Sequence, residues 1–356
     1  MRVVVVGAGL AGLAAAWELT RSGADVTIVE RESRVGGIIL TERRDGFIVE
    51  GGPDGWLAAE PEIPALAAEL GIGDRQVSQM AKGSSRWTGR ALEPLQEGEA
   101  AALLGIPVRR GDLSAGFSSF AGGMGDLVDA LVARLGPKIR TSLGVTGVRA
   151  NGPTWQVSVA PGPALEASAV ILALPAYAAA PLLIQAGVAA ARGLGDAIYQ
   201  PSSTVSLAYR ADQIGRRLEG TGFVANDAGV LRACTYASAK FPGRAPRGHT
   251  LLRAFVAPAE DDPAAAAHRE LAAILEVRGT PMWSRVFQWS RGIPRPTPEH
   301  RALVAEVRDA LTRLPPITIC GAGYDGAGIS ACVKSGRAAA GAILEQEPSG
   351  RGKRLQ

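Results

Sequence analysis

Residues 3–19 read VVVVGAGLAGLAAAWEL, a run of valines, then Gly7-x-Gly9-x-x-Gly12, then small and apolar residues. The valines favour a strand, and the alanines and leucines favour a helix. Only a tight glycine turn can join the two so abruptly. Asp25–Val29 reads as a second strand, and Glu30 follows it. This is the opening βα unit of a dinucleotide fold. Gly7 permits the turn, Gly9 lets backbone approach a pyrophosphate, and Gly12 lets the helix pack on the strand. Ala8, Leu10 and Ala11 complete the loop, and the pyrophosphate belongs at the helix N-terminus. Glu30 stands where the ribose hydroxyls are held, with Arg31 beside it. The alternative is a glycine-rich turn that binds no nucleotide.

The rest of the chain must be long enough to complete such a fold, and its 356 residues suffice for two domains. The net charge of +4 is spread without a basic block or basic–aromatic interleaving, which argues against nucleic acid. Cys234, Cys320 and Cys332 form no CxxC and read as reduced thiols, as in a cytoplasmic protein. His249, His268 and His300 lack metal-ligand spacing, so no metal site is expected. Two stretches imitate targeting signals. Residues 1–16 resemble a short signal peptide, but their glycines fall where the nucleotide turn needs them. Residues 169–191 are long enough to span a bilayer, yet Pro175 and Pro181 divide them into a buried strand, Ala169–Leu174, and a short helix. No transmembrane segment or peripheral membrane contact is expected.

Further along, apolar spacing predicts helices over 62–71 and through GGMGDLVDALVARLG, where Met124, Leu127, Val128, Leu131, Val132 and Leu135 share a face. A strand pair is expected around Gly89, and a hairpin joins Gly144–Ala150 to Thr154–Val159 through Asn151–Gly152. After residue 182, four strand-like runs separated by Gly, Asp and Pro suggest an antiparallel meander. A helix (Pro263–Val277), a strand (Ser284–Ser290) and a helix (Glu299–Leu314) lead to a closing strand, glycine turn and helix at residues 317–344.

That closing stretch, ITICGAGYDGAGISACVKSGRAAAGAIL, looks like a second dinucleotide turn. A complete unit would need another strand and an acidic residue ~20 positions on, and the chain instead runs into a polar tail. The puzzle resolves through a resemblance. ERESRVGGIILTERRDGFIVEGGPDGW extends the first fingerprint with Arg34, Gly36–Gly37 and Glu50-Gly51-Gly52-Pro53-Asp54. It resembles the FAD-binding oxidases of the amine oxidase and porphyrinogen oxidase superfamily. There the paired glycines lie against the pyrophosphate and the Gly-Gly-Pro segment passes the flavin ring. GAGYDGAGISACVKSGRAAA is similar to the closing motif of protoporphyrinogen and coproporphyrinogen oxidases through Tyr324, Gly326, Gly328–Ile329, Cys332 and Ser335–Gly336. Amine oxidases carry an aromatic cage residue after that point, and this chain has none. SFAGGMGDLVDAL, ASAKFPGRAPRGHTLLRAFV and WSRGIPRPTPEH are also similar to family segments.

The resemblance implies an α/β chain with an FAD-binding Rossmann-like domain of the glutathione-reductase type and a second, antiparallel-sheet substrate domain. The FAD domain is expected to be discontinuous, from 1–82, 117–182 and 299–346. The substrate domain takes 83–116 and 183–298, and 347–356 reads as a disordered tail. FAD contacts are implied for Gly52, Pro53, Asp54 and Gly55, for Val145 at the adenine, for Trp289 beside the flavin, and for Gly323, Ala327, Gly328 and Ile329. The closing helix N-terminus then faces the flavin, whose reduced form carries negative charge that unpaired N–H groups stabilise. The implied reaction is dehydrogenation of a porphyrinogen by hydride transfer to non-covalent FAD, with reoxidation by molecular oxygen. The cofactor performs the hard step, so no catalytic side chain is assigned. Arg86 resembles the family's carboxylate-pairing arginine, the alternative being an ordinary surface arginine. Arg295, Pro296 and Glu299 depart from the usual residues before His300. Only about twenty residues, Gln96–Ala115, stand where family members insert a helical subdomain that walls the substrate pocket. The link has room for one short helix and a turn. Two other readings stay open, a flavin oxidase acting on amines or polyenes, and a non-catalytic paralogue that binds FAD or a porphyrin.

Overall fold

The computed structural model describes residues 1–104, 113–225, 229–257 and 261–346. Its first layer is a five-stranded parallel sheet in the order Ile139–Arg140, Asp25–Val29, Arg2–Val6, Ala169–Leu172, Ile317–Ile319. Val3 to Val6 and Ala169 to Leu172 are buried, as central strands covered on both faces must be. Helix Leu10–Arg21 lies on the sheet with Ala14, Ala15 and Ala16 wholly buried. The closing helix Ile329–Glu345 packs against it at very short range. A side chain at Gly336 would bring its Cβ to 2.1 Å from the Ala11 carbonyl oxygen. The amphipathic helix Gly125–Leu135 buries Leu127, Val128, Leu131 and Leu135 in the same core. Helix Glu62–Leu70 ends at Gly71, whose φ of +77° supplies the left-handed cap. The expected hairpin is present as Gly144–Asn151 and Thr154–Ala160, extended by Leu165–Ala167.

The second sheet has seven strands, ordered Trp283–Pro294, Tyr199–Arg210, His249–Val256, Leu231–Thr235, Gly222–Val224, Ser85–Trp87, Leu92–Pro94. It corrects the expected meander in two ways. Only Gly222–Val224, Leu231–Thr235 and His249–Val256 follow one another as neighbours, whereas Tyr199–Arg210 crosses to the far side of His249–Val256. One pair, Gly222–Val224 with Ser85–Trp87, is parallel. Strand-like runs separated by turns reveal that strands exist, and partner choice depends on side-chain packing between distant segments. Helix Pro263–Leu275 buries Leu271, Ile274 and Leu275 against Tyr209 and Leu252 of this sheet.

Strand Trp283–Pro294 is longer than expected, and its alternate residues grip the first domain. Trp283 meets Phe47 edge-on at 5.1 Å, and Arg285 donates to both Glu42 carboxylate oxygens at 2.7–3.1 Å. Those partners lie on a hairpin, Thr41–Arg44 with Phe47–Glu50, that the sequence reading passed over. Asp45 and Gly46 have φ of +50° and +79°, so the Asp-Gly pair just before the apolar run Phe47–Val49 was the signal for it. Pro181, expected to break the 169–191 stretch, lies inside helix Ala176–Gln185 after a strand of Ala169–Leu172. Of the short link, Glu99–Leu103 is a helix. Its residues 105–112 and the 347–356 tail lie outside the described residues. Among those described, no helix is long and apolar enough to cross a membrane.

Candidate functional site

The sequence-expected residues converge at the C-terminal edge of the parallel sheet, where ligands of such folds bind. At Gly7, φ is +101° and an added Cβ would stand 2.5 Å from the Ala173 carbonyl oxygen. At Gly12 the Cβ would be 2.0 Å from the Gly7 carbonyl oxygen. Gly9, between them, has no neighbour within 4 Å of such an atom, so the turn is packed behind and open in front. Gly9 is the N-cap of helix Leu10–Arg21 and offers its N–H groups no side-chain acceptor. Helices Pro263–Leu275 and Pro298–Leu311 are capped instead by Asp262 and Thr297. A glycine cap facing open space fits the anionic oxygens of a diphosphate.

Around this turn the expected partners close in. The Glu30 carboxylate accepts from the N–H groups of Ala8 at 2.8 Å and Glu32 at 2.9 Å. The Leu143 N–H donates to the Glu30 carbonyl at 2.9 Å, which brings Gly144 and Val145 to the end of the second strand. A Cβ on Gly144 would touch the Arg31 side chain at 3.7 Å, so Glu30, Arg31 and Val145 share one locality. The Gly36 N–H donates to the Ala8 carbonyl at 2.8 Å. The backbone at Gly37 lies so near that an added Cβ would sit 3.3 Å from the Gly9 Cα. Arg34 fastens this loop by donating to the carbonyls of Val35, Gly37 and Ile39.

The Gly51–Gly55 segment is shaped by the protein itself. Added Cβ atoms would meet the Phe287 ring at 2.6 Å from Gly51, the Ile38 carbonyl oxygen at 1.8 Å from Gly52, and the Ser118 carbonyl oxygen at 2.3 Å from Gly55. Trp289 donates its indole N–H to the Gly51 carbonyl at 2.7 Å. The Asp54 carboxylate accepts from Lys240 at 2.9 and 3.1 Å, which anchors the Pro53–Asp54 backbone.

The closing turn presents the same grammar as the first. Gly328 is the N-cap of the closing helix, again without a side-chain cap, and Ile329 opens it beside Ala327. A network holds the loop. Arg308 donates to both Asp325 oxygens at 2.8 Å, Asp325 accepts the Ser335 hydroxyl, and Ser335 accepts the Gly321 N–H at 2.8 Å. His300 is 2.8 Å from the Gly323 carbonyl, and a Cβ at Gly323 would lie 2.5 Å from the Tyr199 hydroxyl. Tyr324 packs against the apolar core and its hydroxyl is buried without a partner among the described residues. Burial pushes that phenol well above its ordinary range.

A buried charge cluster at the junction of the two sheets was not legible in the sequence. It comprises Glu50, Asp54, Lys240, Arg244 and Arg253, all but Asp54 under 9% exposed. Arg244 donates to Ser119 at 2.6 Å and the Phe120 carbonyl at 3.1 Å, with Glu50 at 3.7 Å. Glu50 also accepts from Thr41 at 2.6 Å and the Met124 N–H at 2.8 Å. Burial raises the Glu50 carboxyl, and the opposing pull of Thr41 and Arg244 does not restore it. Burial also acts to raise Asp54, but Lys240, Arg253 and Arg244 together hold it below the usual range. These groups lie far apart in sequence, and no local pattern joins them. Arg86 is separate from all of this. It is exposed, in register with Glu93 and Val224, and its strand is five places from that of Trp289, roughly 24 Å along the sheet.

Comparison with known proteins agrees with this geometry. Coproporphyrinogen III oxidase of Bacillus subtilis is 24% identical, the match covering 95% of this chain and 96% of the relative. That alignment runs over 458 positions, so at about 120 of them this chain, contributing about 338 residues, has none. Coproporphyrinogen III oxidase of Propionibacterium freudenreichii is 25% identical over 96% of this chain and 90% of its own. A crystal structure from Exiguobacterium sp. 255-15, provisionally named a protoporphyrinogen oxidase, shares the fold with a TM-score of 0.81. It is 24% identical and covers 97% of this chain and 99% of its own. The family model described as flavin containing amine oxidoreductase matches residues 10–91 and 84–344. With two glycine-capped helix N-termini at one sheet edge and a match over most of its length, the chain belongs to the flavin-containing amine oxidoreductase family.

Proposed function

We propose that the protein is an FAD-dependent oxidase that dehydrogenates a porphyrinogen, protoporphyrinogen IX or coproporphyrinogen III, in heme biosynthesis, with oxygen as final acceptor. The observation that carries this choice over an amine is the closing turn. Its helix N-terminus is open, and its one aromatic residue, Tyr324, is turned into the core. Among the described residues of the closing turn and helix, no other aromatic side chain follows Tyr324 that could wall a cage for an amine. The names of the long-range relatives point the same way.

On this reading 1–82, 117–182 and 299–346 hold the FAD, and 83–116 with 183–298 hold the substrate. Gly7, Gly9 and Gly12 shape the diphosphate cradle, and the N–H groups of Leu10 and Ala11 bind its oxygens. Gly36 and Gly37 close the cradle from the side. Glu30 holds the ribose hydroxyls, and Arg31 and Val145 border the adenine. Gly52, Pro53 and Gly55 offer backbone to the flavin, and Trp289 fixes that segment through Gly51. Gly323, Ala327, Gly328 and Ile329 direct backbone dipoles at the ring. Bound FAD supplies the two-electron acceptor. The protein's own task is to orient the macrocycle and exclude water.

Glu30→Gln is expected to weaken FAD binding by about 1–3 kcal/mol, the range for hydrogen bonds to a charged group. The amide can accept from Ala8 or Glu32 but not from both, so the cradle loosens as well. Titration of apoprotein with FAD measures the loss, and an unchanged affinity contradicts the assignment.

The second reading, a non-catalytic FAD- or porphyrin-binding paralogue, draws on the roughly 120 alignment positions where this chain has no residue. Aerobic turnover separates the two. A pocket with so little cover buries less of the macrocycle, so the oxidase should show a high Michaelis constant and accept both porphyrinogens. Tight binding with strong discrimination contradicts the open pocket, and no turnover of either favours the paralogue.

A further inference from the structure

We propose that Arg291, stacked on Tyr177, is the residue that takes a carboxylate of the substrate. This inference rests on the porphyrinogen reading and names the group that would orient the macrocycle in the crevice.

As far as Trp289, every second residue of strand Trp283–Pro294 faces the FAD-side layer: Phe287 meets Gly51 and Trp289 donates to the Gly51 carbonyl. Between Trp289 and Ile293 the register with Tyr199–Arg210 shifts, and Arg291 lies within that irregular stretch, two residues beyond Trp289. Its guanidinium carbon stands 4.3 Å from the centroid of the Tyr177 ring. Tyr177 belongs to the loop and helix start that follow Ala173, the residue packed under Gly7, so it borders the nucleotide turn. Its ring meets Tyr199 edge-on at 5.1 Å. The Tyr199 hydroxyl in turn accepts the Ala176 N–H at 3.0 Å and lies against Gly323. The stack therefore joins both glycine turns.

Two other arginines of this region already hold an anion. Arg285 holds Glu42 and Arg308 holds Asp325, in both cases through two carboxylate oxygens. Among the described residues Arg291 holds none. It is exposed, and only the face of a ring fixes it. A stacked guanidinium keeps its planar fork of donors for a carboxylate. Beside it the surface is apolar. Ile293, two residues on, is 41% exposed, and Ile198, whose carbonyl accepts the Arg295 N–H, is 58% exposed. An apolar shelf ending in an oriented guanidinium suits an apolar macrocycle with carboxylates at its rim. Arg86, exposed at the far side of the sheet, has no such setting.

The test compares wild type with R291Q, R291K and Y177L on coproporphyrinogen III and on octaethylporphyrinogen, which has no carboxylates. R291Q is expected to raise KM for coproporphyrinogen III at least tenfold, with little change in kcat or in FAD content. R291K should recover part of the loss, and Y177L should raise KM with the arginine still present. The KM penalty should vanish on octaethylporphyrinogen. An unchanged KM in R291Q overturns the proposal, as does an equal penalty on both substrates. A parallel fall in FAD affinity also overturns it, by making Arg291 a diphosphate anchor. If wild type oxidises neither porphyrinogen while carrying FAD, the porphyrinogen reading itself fails and the assignment with it. If wild type turns both over and only the Arg291 effect is missing, the reading stands and the assignment alone falls.

Discussion

Gly12→Ala is expected to leave almost no FAD-loaded, folded protein, whereas Gly9→Ala, three residues earlier, should fold and fail only to hold FAD. The two glycines belong to one motif, but they meet different surroundings. A methyl group at Gly12 would stand 2.0 Å from the Gly7 carbonyl oxygen. That oxygen cannot retreat, because the backbone at Gly7 is itself pressed against the Ala173 carbonyl. The helix would have to lift from the sheet, undoing its contact with the closing helix at Gly336. Overpacking a flexible core costs about 1–3 kcal/mol, and a rigid backbone collision should cost about 3 kcal/mol or more. Gly9 has φ of −70° and ψ of 173°, which alanine adopts freely, and its Cβ would point into open space. Its methyl group would occupy the place reserved for the diphosphate. Gly9→Ala apoprotein should therefore keep its unfolding free energy within about 0.5 kcal/mol and lose FAD affinity by tenfold or more. Denaturant unfolding of the apoproteins, beside FAD titration, checks both halves. Equal stability loss in the two variants would contradict the assigned roles.

Lys240→Met should be nearly as damaging, for an electrostatic reason. It removes the ammonium that bonds both oxygens of Asp54 and leaves that half-buried carboxylate at the sheet junction without its hydrogen-bonding partner. Breaking a buried ion pair from one side costs about 3–5 kcal/mol, while replacing both partners with apolar residues is often close to neutral. The double variant Lys240→Met, Asp54→Leu should recover much of the loss. The pair also carries a pH signature. Because the folded protein holds the Asp54 carboxyl below its ordinary range, its contribution is complete above the unfolded value of about 4. It is lost as the pH falls through the lower folded value. Glu50 works in the opposite sense. Its carboxyl is raised in the folded state, so its contribution is present in acid and lost as the pH rises through the folded value. The stability gap between wild type and Asp54→Asn should accordingly close in acid below about pH 4. A gap that widens there would contradict the Asp54 assignment.

The first domain could be read from sequence because its constraints are local. Gly7, Gly9, Gly12 and Glu30 fall within the opening βαβ segment; Gly7 and Gly12 have their close backbone contacts, Gly9 its open face, and Glu30 its hydrogen bonds. The closing turn was legible for the same reason, with Gly328 and Ile329 starting a helix as their neighbours required. The substrate sheet was half legible. Its strands announce themselves, but the crossing of Tyr199–Arg210 and the parallel entry of Ser85–Trp87 are set by tertiary packing. The Glu50–Lys240–Arg244–Arg253 cluster and the Arg291–Tyr177 stack arise only when separate segments meet. Asp54 marks the boundary. Its motif was visible, but Lys240, which claims its carboxylate, lies 186 residues away.

The most direct measurement of the central claim is anaerobic mixing of the FAD-loaded protein with coproporphyrinogen III, protoporphyrinogen IX and a set of primary amines, following the visible absorbance of the flavin. A porphyrinogen oxidase bleaches with either porphyrinogen, stays yellow with every amine, and recovers its colour when oxygen is admitted. Bleaching by an amine, or a flavin that remains oxidised with both porphyrinogens, contradicts the account.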